Sequence, residues 1–286
     1  MTSWSLRIGS RTFSGPGPFV MGVVNATPDS FSDGGRFLDA GAAVARALAL
    51  AAEGADLVDV GGESTRPGAA PVPAEEEIRR VVPVVERLVA GGFAVPISVD
   101  TSKPEVARAA LRAGAALVND IQGLSDPRLA GVVAEAGVPV VLMHMRGTPA
   151  DMRERARYDD VAAEVRDELA EALRRAATAG IPAERTLLDP GIGFAKTAAQ
   201  SLEVLARLGE LRTLGRPLLV GPSRKSFIGA ATGAAVEERL PGTLAAVAAA
   251  VLAGAQFVRV HDVAASRQAA LVAAAIRDAA RGPVSV

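Results

Sequence analysis

The chain has 286 residues, no cysteine, two histidines and a formal net charge of −1, with a pI near 6.2. These values exclude disulfides, thiolate catalysis, cysteine-ligated zinc and a histidine-rich metal site. They also argue against a nucleic-acid protein, which shows a basic patch or a pI above about 9, and leave open local basic pockets and a hard cation held by oxygen ligands.

The first 18 residues precede the first strong apolar run, and Leu6–Ile8 and Thr12–Phe13 around Gly9 and Ser10 suggest a short hairpin closing a barrel floor. From there one punctuation recurs: a helical run, a glycine, then a short β-rich segment. The glycines are Gly54, Gly92, Gly114, Gly137, Gly180, Gly215 and Gly254, each fitting the position just past a helix, where the backbone turns left-handed. The strands expected in chain order are Phe19–Asn25, Leu57–Gly62, Pro96–Thr101, Leu117–Asp120, Pro139–Met145, Leu187–Gly191, Pro217–Ser223 and Phe257–Asp262. They are apolar runs rather than alternations, as parallel strands buried on both faces are. Between them lie amphipathic runs rich in Ala, Leu, Arg and Glu, among them Ala40–Glu53, Ala74–Ala90, Pro104–Ala113, Asp160–Ala177 and Leu240–Ala253. Eight such units without a break in composition predict an α/β fold, one (β/α)8 TIM barrel over residues 1–286, with an open doubly wound sheet as the alternative. The longest apolar stretch, Leu244–Val258, is shorter than the roughly 20 residues of a membrane span. It reads as a buried helix running into a strand. No secretory signal is visible at Met1–Gly9, so a cytoplasmic protein without membrane contact is expected.

The first seven strands turn polar at or just past their carboxyl ends: Asn25, Glu63, Asp100, Asn119 and Asp120, His144 and Arg146, Asp189, then Ser223 with Arg224 and Lys225. The eighth holds Arg259 and His261 within it. Active sites of barrels are built at that end. A single Asp or Asn there is more often a turn former or helix cap, but turn chemistry does not explain Lys225, Arg259 and His261 at the same mouth. Asp100, Asn119 and Asp189 suit the amino and amide edges of a flat heterocycle, since a buried carboxylate matches a pair of N–H groups. Lys225, Arg66, Arg259 and His261, read as cationic donors, suit a phosphate or diphosphate. Asn25 is a neutral oxygen ligand placed for Mg²⁺, which takes few protein ligands beside substrate phosphates and water. A heterocycle pocket beside a diphosphate pocket implies displacement of a diphosphate leaving group. Two weaker patterns are set aside. GIGFAKT (Gly191–Thr197) lacks the spacing of a phosphate loop. A Ser223–His261–Asp189 triad lacks a nucleophile elbow.

The segments NATPDSFSDGG (Asn25–Gly35), GGESTRPGA (Gly61–Ala69), SVDTSKPEVA (Ser98–Ala107), VNDIQG (Val118–Gly123), LMHMRGTP (Leu142–Pro149), LDPGIGFAKT (Leu188–Thr197), GPSRKSFIG (Gly221–Gly229) and RVHDV (Arg259–Val263) resemble, in order and over essentially the whole chain, the dihydropteroate synthase family. The resemblance implies joining 6-hydroxymethyl-dihydropterin diphosphate to 4-aminobenzoate with loss of pyrophosphate, through an SN1-like displacement, in folate synthesis. It also implies a sulfonamide target, Mg²⁺ and a homodimer; the Ala-rich helices Leu240–Ala253 and Ser266–Ala280 suit packing across a two-fold and equally suit covering the barrel of a monomer. By the same resemblance Asp100, Asn119, Asp189 and Lys225 match pterin-holding positions, with Met143 near the ring. Asn25 matches the Mg²⁺ and diphosphate position. Thr65, Arg66, Arg259 and His261 fall on the diphosphate side, and Thr65, Arg66, Pro67, Phe194 and Ser226 surround the aminobenzoate. Phe31 and Asp33 sit on the first loop, which closes over the substrate. Asp100, Lys225 and Arg259 are the expected catalytic groups. Pro222 and Phe227 depart from the residues many members carry, and both are apolar neighbours of Ser226. Two other functions remain open here: a pterin-binding methyltransferase domain, and a catalytically silent pterin-binding paralogue.

Overall fold

The computed structural model describes residues 4–26, 38–66 and 68–280. It begins with an antiparallel hairpin, β1 (Ser5–Ile8) and β2 (Arg11–Ser14), with Leu6 opposite Phe13. Eight parallel strands follow: β3 (Phe19–Asn25), β4 (Leu57–Gly61), β5 (Ile97–Asp100), β6 (Leu117–Asp120), β7 (Val140–Met143), β8 (Thr186–Asp189), β9 (Leu219–Val220) and β10 (Phe257–Val260). Their order is β8-β7-β6-β5-β4-β3-β10-β9. A parallel bridge between Leu188 and Leu218 closes the ring, with Leu188 N–H donating to Pro217 O at 3.0 Å. The expected barrel is therefore what the chain forms, and the open-sheet alternative falls.

The helices between the strands are α1 (Leu38–Ala52), α2 (Ala74–Ala90), α3 (Pro104–Ala113), α4 (Pro127–Ala136), α5 (Val161–Thr178), α6 (Ala198–Ala206), α7 (Ser226–Thr232), α8 (Leu240–Ala253) and α9 (Val263–Ala279). All seven punctuating glycines have positive φ, between 65° and 114°. At Gly54 and Gly254 the requirement is double, because a Cβ would also lie 2.9 Å from the side chains of Arg267 and Arg212. Asp160 turns out to cap α5 rather than open it, its side chain accepting from Ala163 N at 3.0 Å. The last helix starts earlier than expected, at Val263. Strand β9 is shorter than expected: Leu218 makes only an isolated bridge, and Arg224, at φ 54°, leads out of the mouth with its N–H on Thr243 Oγ1.

Alternation along the strands sorts the barrel into layers. Met21, Leu57, Leu117, Val141, Leu187, Leu219 and Phe257 join Leu6, Ile8 and Phe13 of the hairpin in one apolar cluster. Phe13, Phe19 and Phe257 pack there with ring centroids 5.0 to 5.6 Å apart. The neighbouring positions, such as Val20, Val58, Val99, Val118, Leu188 and Val258, join the larger cluster that includes residues of the surrounding helices. Two residues beyond the floor the inward positions change character: Leu57 is followed by Asp59, Leu117 by Asn119, Leu187 by Asp189 and Phe257 by Arg259. The hydrophobic floor thus holds a polar layer above it, at the carboxyl ends of the strands.

Candidate active site

One pocket at that mouth is lined by Thr65, Asp100, Asn119, Met143, Asp189, Phe194, Lys225, Arg259 and His261, with Val23, Ile121, Ile192, Gly221 and Ser223. Nine of the site residues implied by the resemblance therefore converge, together with the strand-end Ser223. Asn25, Arg66 and Ser226 are exposed and lie outside that lining, at the end of β3, in the loop after β4 and at the first turn of α7. Phe31, Asp33 and Pro67 lie outside the described residues. Pro222 and Phe227 are buried.

Arg259 is the centre of the polar layer. Its Nε donates to Asp59 Oδ2 at 2.6 Å and its Nη2 to Asp100 Oδ2 at 2.7 Å. The same Asp59 oxygen accepts from Asn119 Nδ2 at 2.9 Å. Asp59 did not stand out in the sequence because it lies within an apolar strand, not at its end. Asp189 Oδ1 accepts from Gly191 N at 2.7 Å, which folds the loop after β8 back over the strand. The Lys225 ammonium sits 3.8 Å above the Phe194 ring and has no hydrogen-bond partner among the described residues, so its three donors await a ligand or water.

Burial sets the protonation of this layer. It raises the Asp100 pKa from 3.8 to about 7, against the opposing pull of Arg259. It raises Asp189 as well, opposed by the Gly191 N–H and Lys225, and it lowers Lys225 from 10.5 to about 7. His261 is lowered to about 4, by burial and then by Arg259 and Arg224. The reading of His261 as a cation is thereby corrected: at neutral pH it is a neutral hydrogen-bonding ring, with Nδ1 2.9 Å from Ser223 Oγ. Asp189 is bonded to Gly191 rather than to His261, so no triad forms.

Several strand-end residues serve the scaffold instead. Asp120 accepts from Ser102 Oγ, Gln122 N and Leu124 N, the turn role its residue type suggests. Glu63 accepts from Val72 N and Lys103 Nζ, and Lys103 also reaches the fully buried Glu77 at 2.5 Å. Arg224 pairs with Asp262 through two hydrogen bonds. Lys196, in the segment set aside as a phosphate loop, is buried and bonded to Gly191 O, Phe194 O and His144 Nδ1. His144 Nε2 is 3.0 Å from Glu168, which also binds Arg146. This chain pins the loop carrying Ile192 and Phe194.

Burial and the neighbouring Lys196 lower the His144 pKa from 6.5 to about 4. Between those values the unfolded chain binds the proton more readily, so His144 costs the fold stability as pH falls, by up to about 3 kcal/mol. His144→Gln can accept from Lys196 and donate to Glu168 without titrating. Urea unfolding at about pH 7 and about pH 4.5 should show a smaller acid loss in the variant than in wild type. Equal losses would show that this ring is not an acid-sensitive element.

Comparison with known proteins shows the family. Residues 21–261 match the family model described as pterin binding enzyme. The dihydropteroate synthase of Escherichia coli strain K12 is 52% identical over 246 residues, covering 86% of this chain and 87% of that protein. The chain belongs to the dihydropteroate synthase family of pterin binding enzymes. Among solved structures, the Xanthomonas albilineans dihydropteroate synthase with 4-aminobenzoic acid superposes with a TM-score of 0.90 at 51% identity, covering 99% of this chain and 100% of that one. The enzyme of the same organism in complex with 7,8-dihydropteroate gives 0.86 at 48%, covering 98% and 100%.

Proposed function

We infer that this chain is a dihydropteroate synthase, condensing 6-hydroxymethyl-7,8-dihydropterin diphosphate with 4-aminobenzoate to 7,8-dihydropteroate and pyrophosphate. The observation that carries the reading is the single pocket in which Asp100, Asn119 and Asp189 meet Lys225 and Arg259. Two relatives that superpose on the whole chain were solved with 4-aminobenzoic acid and with 7,8-dihydropteroate.

In this reading Asp189, Asn119 and Lys225 hold the pterin by its polar edges, and Met143 packs near its ring. A buried carboxylate and an unpartnered ammonium reject any ring that leaves them unpaired. Arg259 offers its remaining donors to the diphosphate, with His261 as a neutral donor or acceptor and Thr65 at the pocket edge. The bond from the pterin methylene carbon to the diphosphate oxygen breaks first, and the electron pair leaves with the pyrophosphate. Asp100 is negatively charged above its raised pKa, and in that form it stabilises the cation left on the pterin. The neutral arylamine nitrogen then attacks the methylene carbon and releases a proton to solvent. Its ring occupies the side of the pocket near Phe194, with Arg66 and Ser226 around it. Asn25, exposed at the strand end, is the residue that would hold Mg²⁺, as one neutral oxygen ligand, and a bound ion would supply positive charge against the leaving group.

A homodimer in the cytoplasm belongs to the same reading. It is supported by Leu252 of α8 and Leu271, Val272 and Ile276 of α9, all exposed. No helix among the described residues is long and apolar enough to cross a membrane. Purified chain given Mg²⁺, dihydropterin diphosphate and 4-aminobenzoate should release pyrophosphate and form 7,8-dihydropteroate. Absence of release at saturating concentrations would sink the synthase reading.

A further inference from the structure

Asp59 lies below the pocket rather than in its lining. Its carboxyl is fully buried, in the inward position two residues beyond Leu57. One oxygen serves two partners, Asn119 Nδ2 and Arg259 Nε. The other has no hydrogen-bond partner among the described residues. A buried carboxylate oxygen left unpaired costs the fold on the order of 1–3 kcal/mol, so its retention calls for an explanation.

We propose that Asp59 is the positioning residue of the polar layer, setting from one oxygen which end of the Asn119 amide faces the ligand and which edge of Arg259 stays free. A carboxylate at this site only accepts. Asn119 must therefore turn its NH2 toward Asp59, which leaves its carbonyl Oδ1 for the ligand. The group that Asn119 recognises is consequently a donor, a ring or exocyclic N–H. Arg259 is gripped on two sides, Nε by Asp59 and Nη2 by Asp100, and Nη1 alone has no partner among the described residues. That nitrogen is the one left to meet an anionic oxygen. Without Asp59 the amide is free to flip and the guanidinium to swing about its bond to Asp100. The naming of the two ligand parts as pterin and diphosphate rests on the function proposed above. The fixed orientation of the two side chains does not.

The test compares Asp59→Asn with Asp59→Leu. Asparagine keeps an oxygen at the shared position, whereas leucine fills the space and accepts nothing. Calorimetry with free 6-hydroxymethylpterin and with inorganic pyrophosphate is expected to show both affinities lowered about 30-fold or more in the leucine variant, and both within about threefold of wild type in the asparagine variant. Asn119→Ala should weaken the pterin alone. Wild-type affinity for either probe in the leucine variant, or an equal fall in both variants, overturns the proposal. Hydrogen exchange of the Asn119 side-chain amide and of the Arg259 Nε–H, followed by nitrogen-15 NMR on ligand-free wild type, gives an answer that needs no variant to fold. Slow exchange is expected at both, and fast exchange at either overturns the proposal. If wild type bound neither probe, the synthase reading would fail, and the exchange measurement would still decide the role of Asp59.

Discussion

Asp189→Ala is expected to abolish pterin binding, and Asp189→Asn to weaken it nearly as much, with affinity falling at least about 100-fold in each. The carboxyl is buried at 6% exposure, and one oxygen is already committed to Gly191 N–H. Its remaining acceptor capacity faces the pocket beside Lys225, whose charge it helps to hold. A ligand that presents paired N–H groups loses both acceptors in the alanine variant and buries its donors unpaired, a cost of about 1–3 kcal/mol for each. Asparagine keeps the Gly191 bond but turns an NH2 toward those donors, so repulsion replaces attraction. The two variants separate the two jobs of the residue. Thermal stability should drop more in the alanine variant, which orphans the Gly191 N–H, while binding of free hydroxymethylpterin by calorimetry should collapse in both. Retained affinity in the asparagine variant would make Asp189 a loop anchor and leave the pterin to other groups.

Much of the barrel was legible because its signals are local. A left-handed glycine after a helix is a one-residue requirement, and all seven such glycines have positive φ. The bounds of α2, α3 and α8 agree with the sequence pattern to the residue. The shortness of β9 was not legible, since it depends on where Arg224 and Thr243 meet across the fold. Reading polar residues at strand ends found Asp100, Asn119 and Asp189 but also collected Asp120, Glu63 and Arg224, which stabilise turns and loops. Strand ends mix inward and outward positions, so proximity to the end does not tell pocket from scaffold. Counting by twos from the floor would have done so. The spacing that leads from Leu117 to Asn119 and from Phe257 to Arg259 leads from Leu57 to Asp59 and skips Asp120. His261 was misread for a different reason: its charge depends on burial and on the nearby Arg259 and Arg224, none of which is local in sequence. Lys196 was passed over because only its phosphate-loop pattern was tested, whereas its three acceptors come from its own loop and from the end of β7.

Lys225→Met is expected to lower kcat/KM for the pterin diphosphate by about 1000-fold and to remove the alkaline limb of its pH profile. The magnitude follows from losing a desolvated, charge-assisted donor to the pterin on which the charge develops, worth about 4 kcal/mol. The pH dependence follows from the two pKa values that burial brings together, Lys225 falling to about 7 and Asp100 rising to about 7. In the free enzyme, raising pH through about 7 discharges the ammonium, and lowering it through about 7 neutralises the carboxylate. The active form holds Lys225 protonated and Asp100 ionised, so kcat/KM should follow a narrow bell centred near neutrality. Arg259 remains charged throughout, its pKa raised by Asp59 and Asp100 against the effect of burial. The bound substrate adds negative charge to the pocket that Lys225 lines and raises its pKa. The alkaline limb of kcat, which reports the substrate complex, should therefore lie at higher pH than that of kcat/KM. Asp100→Asn should remove the acid limb and leave the alkaline one. The phosphate groups of the substrate titrate near the same pH, but a limb caused by them would persist in both variants. An alkaline limb retained by Lys225→Met would accordingly place the titrating group outside Lys225 and remove the ammonium from the binding step.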